Sequence, residues 1–139
     1  MRWILLAALA ATFGLCPSAH ADAGDPGFTL TVDPTSQIGG QIRMTLSVPV
    51  PAMALVLGST GNGPTQTALG TFCLDWPPLT AMPVGLFPQT TRTIRCPIPC
   101  DRDLVGASGY LQFAAFDQQG VIGISNAAQV VIAANTECP

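Results

Sequence analysis

Asp101 and Asp103, in Asp101-Arg102-Asp103, set two carboxylates close together in a loop, which is the beginning of a calcium site. Calcium, however, takes about six to eight oxygens, and the segment brings only this acidic pair. A structural use fits better: Asp101 caps a short helical turn over residues 103–105 that Gly106 ends, its carboxylate facing amides that point out of the turn. No metal is assigned. Nucleophilic hydrolysis needs a base beside its hydroxyl, and the single histidine, His20, lies in the apolar N-terminal segment. The chain has no lysine and no Gly-x-Ser-x-Gly elbow. Eight acids would allow a glycosidase pair by count, but no motif places two of them across a cleft. Neither a catalytic residue nor a cofactor is expected, and the chain is not expected to be an enzyme.

Trp76, Phe87 and Tyr110 are a different kind of candidate, because rings stack on the apolar faces of sugars. Tyr110 also shares one side of a strand with Gln112, Ala114 and Phe116, while Leu111, Phe113 and Ala115 share the other. Both sides of that strand are apolar. Either a neighbouring loop covers the second side or Tyr110, Gln112 and Phe116, with Trp76 and Phe87, belong to a ligand or partner surface, for self-association or for docking on an envelope protein or glycan.

Of five cysteines, Cys16 falls in the N-terminal segment, leaving Cys73, Cys96, Cys100 and Cys138. An even number in an exported chain reads as two disulfides. A four-thiolate metal site would want paired Cys-x-x-Cys knuckles, which are missing, and a redox dithiol would want two intervening residues where Cys96 and Cys100 have three. Pro97 and Pro99 extend Cys96-Pro-Ile-Pro-Cys100 and hold its ends apart, which disfavours a bridge between them. Of the two connectivities left, Cys73–Cys96 with Cys100–Cys138 is preferred, the second bond pinning the C-terminal tail.

The compartment follows from the N-terminus. Met1-Arg2, an apolar run over residues 3–15 and Ala19-His20-Ala21 have the order of a cleaved export signal, residues 1–21, and the run is too short to span a bilayer. The formal charge of the whole chain is −3, and removal of Arg2 makes it more negative. So few positive groups exclude nucleic acid and anionic membrane surfaces as partners after signal cleavage. The expected location is secreted, periplasmic or the cell envelope.

Short strands are expected to carry these residues. Residues 28–33 and 41–48 alternate apolar and polar side chains, with Arg43 on the wet face of the second. Pro49 and Pro51 end that strand, and further strands are expected at 53–58, 69–75, 84–87 and 91–98. In the last of these Ile94, Cys96 and Ile98 share one face while Thr93 and Arg95 share the other. Ser108-Gly-Tyr-Leu-Gln-Phe-Ala-Ala-Phe-Asp117 and residues 125–133 read as a strand pair joined through Gln118-Gln119-Gly120. Helical spacing is nowhere sustained beyond the signal. The fold class is all-β: an antiparallel two-sheet β-sandwich, Ig-like, with seven or eight short strands. Its parts are a flexible leader at 22–27, the sandwich at 28–134 and a tail at 135–139.

Gln37-Ile-Gly-Gly-Gln-Ile-Arg-Met-Thr-Leu46, residues 53–58, Ile98-Pro-Cys-Asp-Arg-Asp-Leu-Val-Gly106, Tyr110-Leu-Gln112, Asp117 and Ser125-Asn126-Ala127 together resemble a small module of secreted proteins from planctomycete-like and myxobacterium-like bacteria. The resemblance covers nearly all of the chain after the signal. It implies an exported β-sandwich and carries over no catalytic residue, and the four cysteines lie outside its pattern. The expected function is a non-enzymatic exported module with a structural, adhesive or assembly role. A carbohydrate-binding or calcium-assisted ligand module is the competing expectation.

Overall fold

A computed structural model describes residues 24–33 and 36–139. The export signal expected over residues 1–21 lies outside them. The described residues form ten strands in antiparallel sheets, and their helical content is one 3-10 turn, Arg102–Leu104. Strands β1 (Thr29–Val32), β2 (Gln41–Ser47) and β7 (Thr91–Pro97) make a three-stranded sheet in the order β1-β2-β7. Strands β10 (Ala128–Val131), β8 (Ser108–Asp117), β3 (Ala52–Ser59) and β6 (Thr80–Phe87) run in that order through a five-stranded sheet, with β9 (Gly120–Ile124) also paired to β8. β4 (Thr65–Thr67) and β5 (Gly70–Phe72) form a separate hairpin.

The two sheets face each other over one core. Leu30, Met44, Leu46 and Val48 from the small sheet meet Ala54, Val56, Val84, Phe87, Phe113 and Ala115 from the large one. Period-two alternation dictates which residues these are, because each strand turns every second side chain inward. β3 and β8 depart from it in the same way. Leu57 and Ala114 face outward from the core yet are buried, because Phe72, Leu74 and Ile124 close over them as a second cluster, with Leu55, Tyr110, Phe116 and Val121 packed at its margin. Most of β3 and β8, at the centre of the five-stranded sheet, is therefore covered on both sides, by the small sheet and by the segment that includes the β4–β5 hairpin.

Three differences from the sequence reading have local causes. There are ten strands instead of seven or eight: residues 69–75 are half of a hairpin, and 120–133 is two strands, β9 on the lower half of β8 and β10 on the upper half. β6 begins at Thr80, ahead of the expected strand at 84–87, and passes through Pro83. It is the outermost strand of its sheet, where the missing proline amide need leave no ladder bond unmade. Gly24 to Gly27, expected within a flexible leader, lies against β9: the Asp25 amide donates to the Ile124 carbonyl, and Asp25 Oδ2 accepts from the Ile124 amide, both at 2.8 Å.

The β8–β9 turn is as expected. Asp117 Oδ1 accepts from the amides of Gln119 and Gly120, and Gly120 has φ +131°, where a side chain would be strained.

Candidate functional site

The most connected polar group in the molecule is built on β8 and the break between β9 and β10. Gln112 is fully buried; its Oε1 accepts from the Cys73 amide at 2.8 Å and its Nε2 donates to the Ser125 carbonyl at 2.6 Å. Ser125 Oγ accepts from the Phe113 amide and donates to the Asn126 carbonyl. Asn126 then crosses to the opposite sheet, Oδ1 accepting from the Leu30 amide at 2.8 Å and Nδ2 donating to the Leu30 carbonyl at 3.0 Å. Three side chains thus join the covering segment, the five-stranded sheet and the three-stranded sheet. Every bond made is to backbone, and no buried side-chain nitrogen or oxygen among the described residues lacks a partner. An unmade bond here would cost about 1–3 kcal/mol, so the arrangement rigidifies a join between layers.

The expected surface of Trp76, Phe87, Tyr110, Gln112 and Phe116 is not one surface. Phe87 lies in the core between the sheets, and Gln112 is sealed beneath the second cluster, so neither can meet a ligand or partner. Tyr110 and Phe116 are half-buried at the margin of that cluster. Trp76 is 47% exposed, its ring 6.0 Å from that of Phe72 and tilted against it, in the loop that follows β5. The physical reason is the cover: the second apolar side of β8 faces other parts of the chain itself.

Asp101 does what the sequence predicts of it. Its Oδ1 accepts from the Asp103 amide at 3.0 Å and caps the 3-10 turn, which Gly106 follows at φ +83°. No group of three metal-ligating side chains occurs among the described residues.

Cys100 and Cys138 are bonded, with Cα atoms 5.4 Å apart, closing a separation of 38 residues. Gly39, at φ +74°, passes directly beneath both sulfurs, where any side chain would strike them. The preferred partner bond, Cys73–Cys96, is not formed: Cys96 is a free thiol. Sequence placed Cys96 on the inner face of its strand, and it is there, half-buried in an apolar cavity of about 210 Å³ with its Sγ 3.9 Å from Met82 Sδ. Cys73 is on the other side of the five-stranded sheet, next to the covering hairpin, so that sheet separates the two sulfurs.

One arrangement escaped the sequence reading. β2 and β7 pair with Arg43 opposite Arg95, Thr45 opposite Thr93 and Ser47 opposite Thr91, and β1 adds Thr31 beside Thr45 and Thr29 beside Ser47. All turn away from the core. Each strand's alternation was legible, with Arg43 and Arg95 each on a wet face; which strands are neighbours, and in what register, was not.

No family model and no curated protein matches the chain. Among solved structures, a superoxide reductase (neelaredoxin) from Ignicoccus hospitalis aligns with TM-score 0.42 and 11% sequence identity over 86% of this chain and 89% of that one. A likeness of that size transfers no residue and no role.

Proposed function

We propose that this protein is an exported, non-enzymatic β-sandwich module with a structural, adhesive or assembly role in the cell envelope or outside the cell, where its partner is an envelope glycan, an envelope protein or a second copy. The observation that supports this reading most is how the buried polar side chains are employed. Gln112, Ser125 and Asn126 are each committed to backbone groups that hold the layers together. The Cys100–Cys138 bond is compatible with an oxidising compartment. The resemblance to modules of secreted bacterial proteins points the same way. A carbohydrate-binding reading retains Trp76 as the exposed ring of the original aromatic set. The calcium-assisted version is weakened because Asp101 already serves its turn.

Expression of the whole chain with a C-terminal tag, followed by cell fractionation and peptide mapping without reductant, tests the proposal. The expected product is found outside the cytoplasm, begins at Asp22 and contains the Cys100–Cys138 bond. Recovery of the unprocessed chain from the cytoplasm with that pair reduced would sink it.

A further inference from the structure

The outer face of the three-stranded sheet presents three rows across its strands. The first ends in Arg43 opposite Arg95; the second is Thr31, Thr45 and Thr93; the third is Thr29, Ser47 and Thr91. Neighbouring strands lie about 4.8 Å apart and successive residues on one face about 6.8 Å apart, so hydroxyls and guanidinium groups project as a shallow grid. Thr45 Oγ1 and Thr93 Oγ1 are 3.2 Å apart, within hydrogen-bonding distance of each other.

The arginine pair is the informative part. Like charges placed directly opposite each other on paired strands are destabilising. The chain has five arginines and no lysine, and two of the five stand face to face here. Both are exposed, and neither has an ion-pair partner among the described residues. One carboxylate residue, Asp33, borders the patch, its amide donating to the Arg43 carbonyl at 2.9 Å. The other two arginines of the described residues are used within the fold, Arg92 donating to the Gly85 carbonyl and Arg102 to the Cys138 carbonyl.

We propose that this face binds an acidic polysaccharide, with uronate carboxylates on Arg43 and Arg95 and sugar hydroxyls on the threonine and serine rows. Two adjacent guanidinium forks suit carboxylates, which they hold through paired N–H donors. The spacing of charge on the ligand matters as well. A nucleic acid carries a charge every ~1.7 Å and would drive the excess phosphates against a net-negative protein. A polymer with one carboxylate per sugar places few charges on the patch and offers hydroxyls to the remainder.

This inference deepens the adhesive reading and rests on it. Export and glycan binding are nevertheless read by separate experiments, so a processed, exported protein that ignores the polymer loses this inference alone. The test uses the processed protein with polygalacturonate as probe and neutral dextran as control, at low and high salt. Polygalacturonate should bind at low salt and release at high salt, while dextran should not bind. Arg43→Gln and Arg95→Gln should each weaken binding at least about fivefold, which is roughly 1 kcal/mol, and the double variant should abolish it. Arg95→Lys should fall between wild type and Arg95→Gln, since a lysine keeps the charge and loses the fork. Thermal unfolding of Arg95→Gln should occur no lower than in wild type, which separates lost contact from lost fold. Wild-type binding that survives in the double variant, equal affinity for dextran, or no binding at low salt would each overturn the proposal.

Discussion

The two sheets solve the same problem in opposite ways. The three-stranded sheet buries one side and wets the other, so Ile42, Met44 and Leu46 alternate with Gln41, Arg43 and Thr45. The five-stranded sheet buries both sides of β3 and β8, so those strands are apolar almost throughout, and the one long polar side chain within β8, Gln112, has each end bonded to backbone. Antiparallel sheets commonly wet one side. Here the larger sheet is an internal wall and the smaller one is outward-facing. Recognition chemistry is accordingly sought on the smaller sheet, while substitutions in the wall should be read in stability.

The largest effect should come from the wall itself. Phe113→Ala removes a fully buried ring from the core between the sheets and should cost about 3–5 kcal/mol in denaturant unfolding. A loss below about 1 kcal/mol would mean that the sheets are not packed against each other there. Phe72→Ala opens the other side of the same wall. It should cost somewhat less, because the covering hairpin can settle, and should leave β2 and β7 undisturbed in amide spectra.

Next comes the clamp at the tail. Replacing Cys100 and Cys138 together by Ser should lower stability by about 2–4 kcal/mol through release of the unfolded chain. Cys96→Ser should change it far less, since that thiol is in no disulfide. Equal losses from the two changes would put Cys96 in a disulfide after all.

Gln112→Leu is a change of similar size and a more diagnostic one. It leaves the Cys73 amide and the Ser125 carbonyl without this partner inside the wall, an expected loss of about 1–3 kcal/mol per group. At the low end stands Arg95→Thr on the outward face, which removes a like-charge contact and should raise stability by a few tenths of a kcal/mol. A destabilised Arg95→Thr variant would show that the arginine supports the fold, and would blur the contrast between wall and outward face.

The same contrast explains what could be read from the chain. Alternation in residues 28–33 and 41–48 gave β1 and β2 almost to the residue, and Ser108–Asp117 is β8 as expected. The Asp101 cap was legible because a cap is local: donor and acceptor are two residues apart. The two-sided apolar pattern of β8 stated that something must cover it, without stating what. Residues 65–72 do so from about forty positions away, and nothing in β8 encodes that partner. Cys96 was placed on the correct face and given the wrong partner, since facing inward does not say which sulfur is within reach. The arginine pair was missed for the same reason: Arg43 and Arg95 become neighbours through the register of β2 on β7, a non-local fact.

Residue-resolved amide hydrogen exchange tests the claim of a doubly sealed wall most directly. Amides of Leu111 to Phe116 in β8, bounded by strands on both edges and side chains on both faces, should be among the last to exchange, close to the limit set by global unfolding. Those of β7, at the margin of the outward sheet, should exchange far sooner. Exchange in β8 as fast as in β7 would contradict it.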